Sequence, residues 1–187
     1  LQIEVLAKAH GMEYVFAAPH NIIGTRQKYD DPYRNVVAIM INRMLRGEQP
    51  IIYGDGEQKR CFSFVGDVID PLEKLGFQDG IVGHLFNVGP DEEPVTINAL
   101  TGIIARLLSF KLKPIYVPER PLEVKLATCS ADKARRLLGY KTQHTLEQGI
   151  QEMIDWIKKR GTRQFVYHLP LEIVNEKTPR TWKDRLI

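Results

Sequence analysis

The sequence predicts an α/β protein built from short strands and amphipathic helices. Helical segments with one apolar face recur along the chain, and most of them carry a cap or stop signal. Between them lie short apolar runs bounded by Gly, Pro, Asn or Asp, which are typical of buried strands. The regular strand–helix alternation of a complete doubly wound sheet is missing. We therefore expect a piece of an α/β sheet joined to a small α+β lobe.

The first elements are predicted to be a helix, a strand and a long loop. Residues 2–10 place apolar side chains at helical spacing, and Gly11 is a typical helix stop. Residues 14–18 indicate a short buried strand. Residues 19–33 are rich in Asn, Gly, Asp and Pro and predict a loop. Loops of this length in compact domains are usually functional or disordered, so this one is a candidate for the site.

A glycine-rich turn is the most informative local feature. The dipeptide Asp55-Gly56 separates two strand-like runs, residues 51–53 and 60–64, and predicts a β-hairpin. The same turn would present Arg60 to an anion. Arg120 offers a second guanidinium, and two arginines clamp a diphosphate through bidentate, charge-assisted hydrogen bonds. The competing interpretation is that each arginine pairs with a nearby acid at the surface.

The remaining elements follow from caps and apolar periodicity. Helices are predicted at 34–46, at 66–75, after Thr96, from Ser130 to Gly139 and after Thr145, and strands at 84–88 and 114–117. Thr145 and Gln148 form a capping-box pattern. Residues 161–187 show no clear period and predict an extended tail that wraps back or frays.

Composition restricts the class of function. The net charge of +3 is too small to indicate nucleic acid or an anionic membrane as a partner. No apolar run approaches the ~20 residues that span a bilayer. The two cysteines lie in no ligand cluster, so we expect no metal site and a reducing, cytoplasmic environment. Because the chain opens on Leu1, inside a predicted helix, we expect a part of a longer protein.

Catalytic constellations are missing from the sequence. It contains no nucleophile elbow and no HExxH motif, so no catalytic residue is assigned. The histidines are far apart and are expected to be surface or packing residues. His20, within the polar loop, is the exception.

Five segments carry a specific pattern when they are taken in chain order. They are Pro19–Gly24, Arg34–Val36, Ile52–Phe62 with Val65–Val68, Phe86–Gly89 followed by Thr96, and Arg120–Glu123 followed by Leu138–Tyr140. Together they resemble the C-terminal half of the extended short-chain dehydrogenase/reductase family, over about residues 1–160. That family includes UDP-glucose 4-epimerase, dTDP-glucose dehydratase and UDP-glucuronate decarboxylase.

The resemblance implies the C-terminal part of a Rossmann-type fold, mainly its small α+β substrate-binding lobe. Residues 1–33 would be a remnant of the dinucleotide-binding domain, residues 34–160 the nucleotide-sugar-binding lobe and residues 161–187 a tail. The N-terminal half, which holds NAD in this family, is expected to be missing. None of the 14 glycines builds GxGxxG or GxxGxxG, and none of the seven tyrosines has Lys four positions later.

The resemblance also implies roles for individual residues at the diphosphate of a nucleotide-sugar. Asn21 would reach the diphosphate. Asn35 and Val36 would meet the nucleotide and the diphosphate. Arg60 and Arg120 would neutralise the diphosphate charge.

Further implied contacts lie at the two ends of the ligand. Ile51 and Tyr53 would flank the base, and Glu123 would bind the ribose or the base edge. Pro19 and His20 would lie near the nicotinamide end of NAD, the cofactor of the full-length protein.

The function implied is the nucleotide-sugar-binding part of an NAD-dependent epimerase or dehydratase, inactive alone. A UDP-hexose epimerase is favoured by the Pro19–Asn21 loop and the Gly54–Gln58 turn. Two alternatives stay open: a stand-alone nucleotide-sugar-binding module without catalysis, and an interaction protein that uses an exposed face. The missing half would have covered the strand near residues 14–18, and the edge left uncovered favours a homodimer.

Overall fold

The computed structural model describes residues 2–91, 93–171 and 174–187. Within these ranges the helices are α1 Gln2–His10, α2 Val36–Leu45, α3 Val65–Phe77, α4 Ile97–Leu107, α5 Asp132–Leu138, α6 Leu146–Arg160 and α7 Arg180–Lys183. The strands are β1 Phe16–Pro19, β2 Ile22–Ile23, β3 Ile51–Tyr53, β4 Lys59–Arg60, β5 Ser63–Phe64, β6 Leu85–Val88, β7 Val95–Thr96, β8 Ile115–Val117 and β9 Leu126–Ala127. None of these helices is long and apolar enough to cross a membrane.

The strands form small sheets that are mostly parallel. β1 pairs with β6, β2 with β5 and β3 with β8, each pair parallel. β4 lies between β7, which runs antiparallel to it, and β9, which runs parallel. Parallel strands need a crossover connection, and helices supply it here. The α/β prediction is confirmed, whereas the division at residues 33 and 160 stays a prediction.

The predicted β-hairpin around Gly56 is wrong. β3 pairs with β8 instead of with the run that follows it, so the two strand-like runs separate after the turn. Gly56 has a φ of +74°, and a Cβ built there would lie 2.2 Å from Asn98 Oδ1. The Asn98 side-chain amide donates to the Asp55 carbonyl at 2.8 Å, and the Asn98 backbone N–H donates to the Gly56 carbonyl at 3.0 Å. The turn therefore docks on the first turn of α4.

Local signals set most helix boundaries as expected. Thr96 caps α4 by accepting from the Ala99 N–H, and Thr145 with Gln148 forms the predicted capping box of α6. The predicted cap at Ser130 is displaced by one position, because Ala131 is the N-cap of α5. The Ser130 hydroxyl still accepts the Asp132 N–H at 3.2 Å.

Two apolar clusters form the core of the described residues. The larger cluster joins α2, β3, α4 and α6 through side chains that include Ile41, Ile52, Leu100, Ile104 and Ile154. The smaller cluster joins α3, β6 and α5 through Val68, Phe86, Ala134 and Leu138. The helices α2, α4 and α6 thus pack against one another, and the turn rests on this group of helices through α4.

The C-terminal tail wraps back over the larger cluster. The Val166 N–H donates to the Asp30 carbonyl at 2.9 Å. The Arg163 carbonyl accepts from the Asn42 side chain at 2.9 Å. The tail ends in a short helix, α7, that no sequence signal predicted. The long loop at 19–33 likewise contains the unpredicted strand β2.

Candidate functional site

One cavity gathers all eight residues that the sequence assigns to substrate binding. Its volume is about 180 Å³. It is lined by Asn21, Asn35, Val36, Ile51, Ile52, Tyr53, Gln58, Arg60, Phe62, Ile97, Arg120 and Glu123. These residues come from segments far apart in the chain, and the fold brings them to one place.

Arg60 lies on one wall of the cavity, in β4. Its Nη2 donates to Glu123 Oε1 at 2.5 Å, and both side chains are 17% exposed. Its Nη1 donates to the Lys59 carbonyl at 2.8 Å. The ion pair agrees with the expectation of an arginine paired to an acid, and Arg60 is also one of the residues that line the shared cavity. Glu123 therefore orients Arg60 beside the space that a ligand would enter.

Arg120 lies on the ring of Tyr53. The guanidinium carbon is 4.1 Å from the ring centroid, which is the geometry of a cation–π contact. The Arg120 Nε–H is buried and has no hydrogen-bond acceptor among the described residues. An unpartnered buried N–H carries a desolvation cost that an acceptor would remove. The Tyr53 ring thus holds Arg120 in place, and the Arg120 Nε–H is left to donate to a ligand acceptor.

The first turn of α2 also opens on this cavity. Asn35 is the N-cap, and its side-chain oxygen accepts the Val37 N–H at 2.9 Å. The positive end of the helix dipole therefore lies at Asn35 and Val36, where it favours a negatively charged group.

Asn21 connects the long loop to the segment after β4. Its backbone has a φ of +41°, which Asn tolerates better than most residues. Its side-chain amide donates to the Cys61 carbonyl at 3.0 Å, and its own carbonyl accepts from the Ser63 N–H at 3.3 Å. These bonds hold Asn21 beside Arg60.

Four cavity residues were not assigned by the sequence: Ile52, Gln58, Phe62 and Ile97. Gln58 is buried. Its side-chain amide donates to the Tyr53 carbonyl at 3.2 Å, and its backbone carbonyl accepts the Ile97 N–H at 3.2 Å. The sequence signal that could have identified Gln58 as a cavity residue is its position within the Ile52–Phe62 segment. The three apolar residues gave no signal beyond their hydrophobicity.

Pro19 and His20 lie at the carboxyl end of β1, and neither is among the described residues that line this cavity. The His20 N–H donates to the Val88 carbonyl at 2.9 Å. Burial, and then the positive charge of Arg60, lowers the pKa of His20 below its usual 6.5. Its Nδ1 is buried without a partner in the described part of the chain. The ring is therefore neutral near pH 7.

Other cavities in the described residues differ in character. A cavity of about 290 Å³ lies across Phe62 and is lined partly by Thr142, Gln143 and His144. The His144 Nδ1 lies 2.6 Å from the buried Asp67 carboxylate, so this histidine serves packing and hydrogen bonding. The 180 Å³ cavity remains the candidate because two guanidinium groups and a helix N-terminus meet there.

Comparison with known proteins supports the family resemblance seen in the sequence. The profile of the NAD dependent epimerase/dehydratase family matches residues 1–89. A putative UDP-glucose 4-epimerase of Methanocaldococcus jannaschii is 35% identical over 162 residues, which cover 85% of this chain and 50% of the relative.

Two solved structures share the fold. UDP-glucose 4-epimerase of Thermotoga maritima, solved with UDP-glucose, is 31% identical and superposes with a TM-score of 0.76, covering 85% of this chain and 50% of that one. UDP-N-acetylglucosamine 4-epimerase of Methanobrevibacter ruminantium, in complex with UDP-N-acetylmuramic acid, is 27% identical, with a TM-score of 0.78 and coverage of 86% and 51%. The chain thus spans about half the length of these proteins.

Proposed function

Because this chain belongs to the NAD-dependent epimerase/dehydratase family, we propose that its cavity binds the nucleotide diphosphate of a UDP-sugar. The single observation that carries the proposal is that Arg60 and Arg120 line the same cavity. A diphosphate between them would accept charge-assisted hydrogen bonds, each worth about 1.5–3 kcal/mol. The unsatisfied Arg120 Nε–H belongs to the edge of the guanidinium that takes an oxyanion in bidentate fashion.

The start of α2 supports the same ligand. Asn35 and Val36 place the positive end of a 10-residue helix at the cavity. A helix N-terminus stabilises phosphate through its dipole and its unpaired N–H groups. Asn21 would complete the polar wall on the side of Arg60.

The base and ribose would lie next to the diphosphate. Ile51 and Tyr53 also line the cavity and would flank the base, and Glu123 would meet the ribose or the base edge. A volume of about 180 Å³ is below the ~300 Å³ at which pockets for whole small molecules begin. A whole nucleotide-sugar would therefore extend beyond this cavity.

A UDP-hexose is the ligand we favour. The Thermotoga maritima structure contains UDP-glucose, and the Methanobrevibacter ruminantium structure contains UDP-N-acetylmuramic acid. In an enzyme of this kind, binding energy from the nucleotide positions the reacting sugar. We assign that positioning role to this chain.

NAD is the cofactor that the family implies, and we propose that this chain would supply only part of its site. His20 stands at the carboxyl end of the parallel β1–β6 pair, the edge where such sheets bind ligands, and its buried Nδ1 lacks a partner in the described residues. The chain has no glycine-rich turn for the pyrophosphate. Its residues do not by themselves fit a complete NAD site, so we expect nucleotide binding without turnover.

Calorimetric titration with UDP, UMP and uridine tests the proposal. UDP should bind most tightly, UMP less tightly and uridine weakest, because each phosphate lost removes hydrogen bonds to a guanidinium. Equal affinities for the three ligands, or no measurable binding of UDP, would contradict a diphosphate site. The second outcome would favour a role in protein–protein interaction.

A further inference from the structure

The C-terminal segment, residues 174–187, is built into the wall behind the cavity. Its helix α7 brings Thr181 to the Tyr53 hydroxyl, which accepts the Thr181 backbone N–H at 3.1 Å. The Tyr53 hydroxyl also makes a close hydrogen bond with Thr181 Oγ1. Thr181 is fully buried, with 0% of its surface exposed. Thr181 therefore holds the hydroxyl end of Tyr53, the residue on whose ring Arg120 stacks.

A second cavity, of about 160 Å³, lies between the C-terminal segment and the nucleotide cavity. The two cavities share Val36, Ile51, Tyr53 and Arg120 as lining residues. The C-terminal segment contributes Thr181, Trp182 and Ile187 to this second cavity. The stacked Tyr53 and Arg120 side chains thus form a partition, with the nucleotide cavity on one side and the C-terminal segment on the other.

The segment itself is fixed at several points. The Trp182 ring packs edge-on against Tyr33 with a centroid distance of 5.3 Å. The Leu186 carbonyl accepts from Arg43 Nη1 at 3.4 Å. The Tyr167 hydroxyl accepts the Ile187 N–H at 3.0 Å. Thr181 is therefore presented to Tyr53 by an anchored element.

The partition depends on Tyr53 being held, because the Arg120 guanidinium rests on the Tyr53 ring. Arg120 follows strand β8 and lies in an irregular segment in which Leu122 has a φ of +60°. A long arginine side chain loses rotamer entropy when it is fixed. Stacking on a ring that is already immobilised lowers the cost of aligning the guanidinium with phosphate.

We propose that Thr181 is a positioning residue of the nucleotide site, which sets Arg120 for the diphosphate by holding the Tyr53 hydroxyl. This inference rests on the proposed function. It gives the C-terminal segment, which lies beyond the matched segments of the sequence, a part in binding.

Thr181→Val is the direct test, because it keeps the shape of the side chain and removes the hydroxyl. UDP affinity measured by calorimetry should fall by roughly threefold or more, as expected for the loss of one hydrogen bond. Thr162→Val is the matched control: Thr162 is exposed in the same tail, and its variant should bind UDP like the wild type. Unchanged UDP affinity in a folded Thr181→Val variant would overturn the inference.

Tyr53→Phe covers the case in which Thr181→Val fails to fold. It keeps the ring beneath Arg120 and removes both bonds to Thr181. The inference expects weaker UDP binding, whereas wild-type affinity would contradict it. Thermal unfolding of each variant identifies any that is not folded.

A double-mutant cycle separates positioning from general stability. If Thr181 acts through Arg120, Thr181→Val should change UDP affinity by less than about twofold when Arg120 is already Ala. Full additivity would show that Thr181 does not act through Arg120 and would overturn the inference. If Arg120→Ala alone leaves UDP affinity unchanged, the proposed function itself fails, which is a different result.

Discussion

The guanidinium carbon of Arg120 lies 4.1 Å from the centroid of the Tyr53 ring, and both side chains face the cavity that also contains Arg60. This stack fixes a positive charge without using the hydrogen-bonding edge of the guanidinium. Arg60 is fixed differently, by its ion pair with Glu123. The two arginines are therefore held by separate contacts, and each can be altered by mutation independently of the other.

Replacing Arg120 should weaken UDP binding selectively. Arg120→Ala should lower affinity by roughly tenfold or more, since ~1.4 kcal/mol corresponds to tenfold. Arg120→Lys should also lower affinity, because Lys cannot form the bidentate fork or the same planar stack. Arg106→Ala is the control, because Arg106 is an exposed arginine paired with Glu147. Calorimetry that finds equal UDP affinity in all three variants would remove Arg120 from the site.

Neutralising Glu123 should strengthen the binding of inorganic pyrophosphate. The Glu123 carboxylate repels an anion and occupies Arg60, so Glu123→Gln should raise pyrophosphate affinity severalfold. Pyrophosphate has no ribose, so a ribose contact by Glu123 does not affect the measurement. Glu147→Gln, at an exposed pair, is the matched control. Weaker pyrophosphate binding in Glu123→Gln would mean that orienting Arg60 is the dominant effect of Glu123.

The turn at Gly56 should tolerate no side chain. Gly56→Ala places a Cβ 2.2 Å from Asn98 Oδ1 at a φ of +74°, and left-handed backbone costs a non-glycine residue about 1–2 kcal/mol before any clash. Urea unfolding should show a loss of at least about 2 kcal/mol, because the Asn98 bonds must also shift. Gly102→Ala is the control: it lies inside α4 with nothing within 4 Å of a built Cβ, and should stabilise the fold by ~0.5–1 kcal/mol. Equal unfolding midpoints for the two variants would contradict this account of the turn.

Much of the lining of the candidate cavity could be predicted from the sequence because its residues lie in short segments whose order is specific. Arg60, Arg120, Asn21 and Asn35 were each identified from such a segment. The hairpin prediction at Asp55-Gly56 failed because a turn signal is local, whereas the partner of β3 is set by β8, far along the chain.

The tail was beyond prediction for a different reason. Thr181 and Tyr53 are distant in sequence, and residues 161–187 have no apolar period to indicate a docked face. Their contact is decided by tertiary packing, in which a buried hydroxyl needs a partner.

Acid should destabilise the protein partly through His20. Burial and the charge of Arg60 lower the pKa of His20 from 6.5 in the folded chain. Between the lowered pKa and 6.5 the unfolded chain binds more protons, so stability falls as pH decreases through this interval. His20→Gln should therefore lose less stability than the wild type between pH 7.5 and 5.5. Urea unfolding measures the stability of both proteins at the two pH values. If the wild type and His20→Gln lose equal stability between them, the pKa of His20 is the same in the folded and unfolded chains.

The 187-residue chain alone should not turn over a UDP-hexose. It contains neither a Tyr-x-x-x-Lys motif nor a glycine-rich dinucleotide turn. Incubation with UDP-glucose and NAD, followed by proton NMR, should show no C4 epimer. Accumulation of the epimer in proportion to protein concentration would refute this prediction and favour a complete enzyme in this chain.

The central claim is that Arg60 and Arg120 share one diphosphate, and a crystal structure of this chain with UDP tests it most directly. We expect phosphate oxygens within hydrogen-bonding distance of both guanidinium groups, with one oxygen accepting from Arg120 Nε. A diphosphate bound elsewhere, or bound here with either arginine turned away from it, would contradict the account.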